Sequence, residues 1–332
     1  MEPLLKVKNL RVSFFTYAGE VQAVRGVTWE VNKKETIAIV GESGCGKSVS
    51  IQTAMGLLQK PPGRVMNGEV WFEGENIINY TPAQIRKLQC NGMSMIFQDP
   101  LTYLNPTMKV GDQIAEAYLQ HHKGQRKEAY EKVLEMMRLV SLPDPEQNMK
   151  RYPHQLSGGM RQRVMVAMAL ICGPRVLFAD EPTTALDVTI QAQIIDLMDD
   201  LKNKMDTSIV LITHDLGVVA KMASRIYVMY AGQVVEHGDA DTIFKHPKHP
   251  YTQGLLNSSP RLDAENKAQL SSIPGTPPDL LAPPVGCAFA ARCPYAMNLC
   301  ARMQPEYTYF EEPGHYAACW LCDERIEGGC HE

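Results

Sequence analysis

The chain of 332 residues has no long apolar run. Its longest, Val164–Ile171, stops at Cys172-Gly173-Pro174, far short of the roughly 18 residues that cross a bilayer. It has no excess of one charge: 33 Lys+Arg stand against 37 Asp+Glu, a formal net charge of −4, so no nucleic-acid surface is expected. Internal repeats and low-complexity tracts are absent, and Met1-Glu2-Pro3 lacks the charged and apolar regions of a signal peptide. The expectation is a soluble, cytosolic chain whose membrane role, if any, runs through a partner. Its 45% hydrophobic and 21% charged residues are ordinary globular composition, and its length suggests about two domains.

Cysteine is not scarce. Nine are present, and a cytosolic chain of this size does not normally hold them as disulfides. Cys45, Cys90 and Cys172 are scattered, whereas Cys287, Cys293, Cys300, Cys319, Cys322 and Cys330 crowd the C-terminal end. Such crowding points to a metal or cluster site. Eight of the 22 prolines lie between Pro274 and Pro313, and proline interrupts regular elements. Residues 236–332 therefore read as a loop-rich extension in which a cysteine-bound cofactor could replace missing core.

Residues 1–235 alternate apolar strand-like runs with helical segments. Thr36–Val40, Val176–Ala179, Ile209–Ile212 and Ile226–Met229 are short and fully apolar, as strands covered on both faces are. Ile190, Ile194, Leu197, Leu201 and Met205 recur at helical spacing. This βα alternation predicts an α/β fold with a mainly parallel sheet. Lys6–Phe15 and Val70–Phe72 suggest an antiparallel β element, and residues 100–165 a helical subdomain.

Gly41-Glu42-Ser43-Gly44-Cys45-Gly46-Lys47-Ser48 fits G-x-x-x-x-G-K-[ST] after one of the apolar strands and before a helical stretch. Glycine lets the backbone wrap closely enough to turn N–H groups toward phosphate oxygens. Lys47 should reach the β- and γ-phosphates, and Ser48 should coordinate Mg²⁺. A second apolar strand ends in Asp180-Glu181, placing two carboxylates at the sheet edge where nucleotides bind. Asp180 should hold Mg²⁺ and Glu181 should orient and deprotonate the attacking water. Leu156-Ser157-Gly158-Gly159-Met160-Arg161-Gln162 precedes a helix expected from about Met160, a second anion-binding helix start. One chain has no use for two such surfaces on one γ-phosphate; two chains packed head-to-tail would use both. Cys45, at a helix start among inward N–H groups, is expected either to carry a lowered thiol pKa or to be a packed small residue.

Together with Gln98 in Met95-Ile96-Phe97-Gln98-Asp99-Pro100, Ala185-Leu186-Asp187, and His214 in Ile212-Thr213-His214-Asp215, these motifs occur in the order of an ABC transporter ATP-binding subunit, which the chain resembles over residues 4–240. The resemblance implies a P-loop ABC ATPase with a RecA-like core. It implies ATP contacts along Gly41, Ser43, Gly44, Cys45, Gly46, Lys47, Ser48 and Val49. Gln98 resembles the glutamine that contacts Mg²⁺ and the attacking water and senses the membrane partner. Asp187 resembles the residue that communicates across the dimer, and His214 the one that contacts the γ-phosphate. Ser157, Gly159 and Asp187 would act on the nucleotide of the opposing chain. An aromatic side chain should stack on adenine, and Phe14 and Tyr17 both qualify. Met160 departs from the usual glutamine, while Ser157 and Gly159 are retained.

His249-Pro250-Tyr251 and Gly286-Cys287-Ala288-Phe289, Arg292-Cys293-Pro294, Cys300 and His315…Cys319-Trp320 resemble the C-terminal extension of dipeptide and oligopeptide importer ATPases. Some of that family bind a [4Fe–4S] cluster there. Cys287, Cys293, Cys300 and Cys319 supply the four thiolates a cube needs; zinc also takes four cysteines, but these gaps lack its paired knuckles, and the third alternative is no cofactor. Cys322 and Cys330 are expected to be spare thiols. The implied protein drives peptide import from the cytoplasmic face of the membrane. Its implied partners are two permease subunits, a second ATPase subunit and, indirectly, an extracytoplasmic peptide-binding protein. Alternatives are a soluble non-transport ABC ATPase, a redox protein that also binds ATP, and an importer ATPase for nickel or another small solute.

Overall fold

The computed structural model describes residues 2–122, 126–183, 187–258, 273–323 and 325. In chain order the elements are β1 (Leu5–Thr16), β2 (Gly19–Val31), β3 (Thr36–Val40), α1 (Lys47–Ala54), β4 (Gly63–Phe72), β5 (Glu75–Asn76), α2 (Pro82–Leu88), β6 (Met93–Ile96), α3 (Pro100–Tyr103), α4 (Val110–Leu119), α5 (Arg126–Leu139) and α6 (Pro145–Asn148). They continue with α7 (Gly158–Leu170), β7 (Val176–Asp180), α8 (Val188–Met205), β8 (Ser208–Ile212), α9 (Leu216–Met222), β9 (Arg225–Tyr230), β10 (Gln233–Asp239), α10 (Ala240–Lys245), α11 (Pro250–Asn257), α12 (Asn298–Arg302), β11 (Thr308–Tyr309) and β12 (Tyr316–Ala317). Two compact units result, each assembled from separate stretches of chain.

One unit comprises Met1–Leu4, Val31–Thr36 and Asn79–Ile212. Its strands lie in the order β8-β7-β6 and pair in parallel, with Ile96 opposite Ala179 and Ala179 opposite Leu211. Every residue of β6 and β8 is buried, which is why their side chains do not alternate in polarity. Residues 100–170 form helices α3 to α7, with no strand among the described residues. α7 buries Val164, Val166, Ala167 and Leu170 and starts at Gly158, capped by Ser157, two residues before the expected start. β6 was not anticipated: its Met-Ser-Met-Ile run is short and contains no β-branched residue before Ile96, so it carries little strand signal.

The other unit comprises Leu5–Glu30, Ile37–Ile78 and Thr213–Glu332. One of its sheets has the order β2-β1-β4-β5, with β1 antiparallel to β4. The second runs β11-β12-β10-β9-β3; β3 pairs with β9 in parallel, and the remaining pairings are antiparallel. The extension is thus not loops alone. It adds β11 and β12 to β10, strands of two residues each, too short for a periodic signal. Its aromatic residues also join the core beneath β3 and β9. Tyr251, Ala288 and Phe289 are buried with Ala38, Val40, Ile226, Val228 and Tyr230. The Tyr230 and Tyr251 rings lie 4.6 Å apart, and Phe289 meets Tyr230 edge-on at 5.3 Å, a geometry that adds to simple area burial.

Candidate functional site

In the second unit, β3 runs straight into the phosphate loop. Gly41 has φ 151°, and a Cβ there would sit 2.1 Å from the Met229 carbonyl oxygen; at Gly46, φ 97°, a Cβ would sit 2.4 Å from the Ala23 oxygen. No other residue type fits either place without moving backbone. Ser43 and Gly44 are exposed, Ser48 and Val49 half-buried. Lys47 opens α1 and is buried; its ammonium donates to the Gly41 and Glu42 carbonyl oxygens at 2.8 and 2.9 Å. The Gly232 N–H donates to the Cys45 carbonyl at 3.0 Å. Cys45 corrects one expectation. Its thiol is buried, and that burial pushes its pKa up, outweighing the pull of Lys47. It is a packed residue, not an activated thiolate.

In the first unit, parallel pairing sets two of the expected residues side by side. Because Ile96 of β6 lies opposite Ala179 of β7, the residues two further along each chain are Gln98 and Glu181. The Gln98 amide donates to Glu181 Oε2 at 2.8 Å. Glu181 holds a left-handed backbone, φ 47°, and its N–H donates to the Ile212 carbonyl at 2.8 Å. Such a conformation costs a non-glycine residue about 1 kcal/mol or more and recurs where a side chain must be aimed. Asp180, the last residue of β7, is half-buried.

The remaining candidates cap helices. Ser157 caps α7 and, with Gly158, is exposed. A Cβ at Gly159 would meet Ile190 at 2.8 Å, so this glycine permits close packing against α8. Asp187 caps α8 by accepting from the Ile190 N–H at 2.9 Å and is exposed; Ala185 and Leu186 lie outside the described residues. His214 is exposed, two residues before α9. Tyr17 is fully exposed after β1, whereas Phe14 is half-buried within the strand.

Sequence reasoning missed three groups. Gln162 is buried and donates to the Pro182 carbonyl at 2.6 Å, tying α7 to the segment after Glu181. Cys90 and Cys172, far apart in sequence, share a hydrogen bond that lowers the Cys90 pKa to about 7 and raises that of Cys172. Arg292 and Tyr251 reach the phosphate loop from the extension, as described below.

Of the extension's described cysteines, Cys287 and Cys293 are half-buried and Cys300, Cys319 and Cys322 buried. Burial pushes Cys287 up to about 11, and the thiols of Cys319, Cys300 and Cys293 add to this, so all four lie within electrostatic range. Among the described residues, however, no group of three or more His, Cys, Asp or Glu side chains could hold a metal ion. This lends no support to either the cluster or the zinc expectation. Cys322 is buried and hydrogen-bonds to Cys319, lowering the Cys319 pKa. Cys330 lies outside the described residues.

The ABC transporter family matches residues 24–184, and the oligopeptide/dipeptide transporter C-terminal region matches residues 235–300. The dipeptide transport ATP-binding protein DppD of Bacillus subtilis (strain 168) is 55% identical over 98% of this chain and 97% of its own. The chain belongs to the ABC transporter ATPases. The oligopeptide transport ATP-binding protein OppD of Escherichia coli (strain K12) is 49% identical over 98% of this chain and 95% of its own. Solved cassettes share the fold. MJ0796, in a dimeric post-hydrolysis state with ADP and Pi, superposes with a TM-score of 0.64 at 25% identity over 71% of this chain and 98% of its own. The cbiO1 chain of Clostridium perfringens does so with 0.64 at 26% identity over 74% and 92%. As a peptide-transporter member of its family, this ATPase hydrolyses ATP to drive transport, on an α/β P-loop ABC fold. No helix among the described residues is long and apolar enough to cross a membrane.

Proposed function

We propose that this ATPase powers the import of dipeptides or oligopeptides through two permease subunits, from the cytoplasmic face of the membrane, with a second ATPase subunit as its partner. The supporting observation is full-length likeness to DppD and OppD that runs through the extension. Residues 1–235 carry the nucleotide chemistry and 236–332 form the extension. The ATP phosphates would replace the Gly41 and Glu42 carbonyls as acceptors for Lys47. Ser48, Gln98 and Asp180 would hold Mg²⁺, which neutralises developing charge on the phosphates. Glu181 takes the proton from water, His214 contacts the γ-phosphate and Tyr17 stacks on adenine. Ser157, Gly159 and Asp187 of one chain cover the nucleotide of the other, and the exposure of Ser157 and Asp187 supports that reading. Hydrolysis removes the γ-phosphate contacts and the pair reopens. In vesicles carrying the permeases, ATP should drive uptake of labelled peptide. ATP hydrolysis without peptide uptake, or with uptake of nickel alone, would refute the assignment.

Four of the extension's cysteines match the number of thiolates a [4Fe–4S] cube needs. Cys287, Cys293, Cys300 and Cys319 would hold it. Protein purified anaerobically should then contain iron and acid-labile sulfide in equal amounts, both lost in Cys287→Ser. Iron-free protein would end this reading.

A further inference from the structure

Arg292 stands beside Cys293 in the extension, 250 residues from Glu42 in the phosphate loop. Its guanidinium, only 4% exposed, grips the Glu42 carboxylate with both arms: Nη1 to Oε2 at 2.6 Å and Nη2 to Oε1 at 2.9 Å. The other three N–H groups are also placed. Nη1 donates to Tyr230 Oη at 3.2 Å, Nε to the Pro274 carbonyl at 2.9 Å, and Nη2 to the Ile273 carbonyl at 3.3 Å. A guanidinium has five donors in a rigid fork, and all five are used here. The carboxylate holds the guanidinium above its already high pKa against the opposing effect of burial. Tyr251 adds a second hold, its Oη accepting from the Glu42 N–H at 2.8 Å.

Glu42 is therefore fixed at three points: carboxylate to Arg292, N–H to Tyr251, and carbonyl to Lys47 at 2.9 Å. The last is released when Lys47 turns to phosphate. The first two do not depend on Lys47 and keep the front of the loop in place. Holding a binding loop in its working shape reduces the ordering cost of binding and so raises affinity.

We propose that Arg292 is a positioning residue for the phosphate loop, and that through the Arg292–Glu42 pair the cysteine-bearing extension sets the affinity for ATP. Neither residue has an assigned role toward the attacking water or the γ-phosphate, so loss of the pair should act on KM more than on kcat. The inference rests on the assignment of Gly41–Ser48 to ATP. Lys47→Ala checks that assignment separately, because it should abolish nucleotide binding whatever Arg292 does.

The test uses the full-length chain. Arg292→Ala, Arg292→Lys, Glu42→Gln and the Arg292→Ala/Glu42→Gln double variant are compared for ATP binding, KM, kcat and melting temperature. Arg292→Ala and Glu42→Gln should each raise the ATP Kd and KM about tenfold, with kcat changed less than about twofold. Arg292→Lys, which keeps the charge but not the fork, should fall between parent and Arg292→Ala. The double variant should be no worse than the weaker-binding single, as expected of two groups that act as one. Unchanged KM in a folded Arg292→Ala protein, or additive effects in the double variant, would overturn the proposal. If Arg292→Ala fails to fold, Glu42→Gln decides alone: a raised KM supports the proposal, and a lowered melting temperature with unchanged KM overturns it.

Discussion

Replacing Glu181 by glutamine should reduce ATP turnover by about three orders of magnitude, within the range removed with a general base. ATP should stay bound, and the closed pair of chains should accumulate. The substitution is unusually clean here. Gln98 donates to Glu181 Oε2 at 2.8 Å, and a glutamine carbonyl oxygen can accept the same bond. The left-handed backbone at φ 47° and the N–H bond to Ile212 do not involve the side-chain charge. The change would therefore remove the proposed proton acceptor while keeping the bond from Gln98. Single-turnover hydrolysis measures the loss, and size-exclusion chromatography with ATP and Mg²⁺ measures the trapped pair. Turnover within a few-fold of the parent would show that another group takes the proton.

The second large effect concerns acid. Burial holds both His249 and His237 down to about 4, against opposing contributions from Glu236 at His249 and from the Gly314 carbonyl at His237. The hydrogen bonds give the reason these rings stay neutral. His249 caps α11 by accepting the Tyr251 N–H at Nδ1, 3.0 Å, which a protonated Nδ1 cannot do. His237 Nδ1 donates to the Gly314 carbonyl at 2.7 Å, and its buried Nε2 has no partner, so a second proton there would have no acceptor.

The sign follows from proton binding. The folded pKa lies below the unfolded value of about 6.5, so between those values the unfolded chain binds more protons and stability rises with pH. The contribution is complete above about pH 6.5. It is lost as pH falls toward 4, at about 2 kcal/mol for each histidine by pH 5. Denaturant midpoints measured from pH 7 to pH 5 should fall accordingly. His249→Asn, which keeps a capping acceptor, should remove about half of that slope. A slope unchanged by this variant would place the proton uptake elsewhere.

How much of this was legible beforehand depended on range. Thr36–Val40 and Ile209–Ile212 are read directly from the sequence because apolarity on both faces is local. The phosphate loop is equally local, since its glycines answer to backbone angles and to a close-lying Met229 carbonyl. Cys45 was misjudged in part because a helix start predicts an acidic thiol, whereas its burial is decided by what packs over it. The Cys322–Cys319 hydrogen bond was not legible because it depends on how the extension folds.

Sequence alone determined the nucleotide chemistry: a lysine-bearing glycine loop, a carboxylate pair after an apolar strand, and a serine-glycine helix start. Each depends on residues within a few positions of one another, where backbone geometry fixes the spacing. Tertiary structure decided how those pieces are held. Register between β6 and β7 set Gln98 against Glu181, and folding of the extension carried Arg292 across 250 residues to Glu42. Such partners leave no local pattern, because a hydrogen bond depends on distance in space and not on separation along the chain.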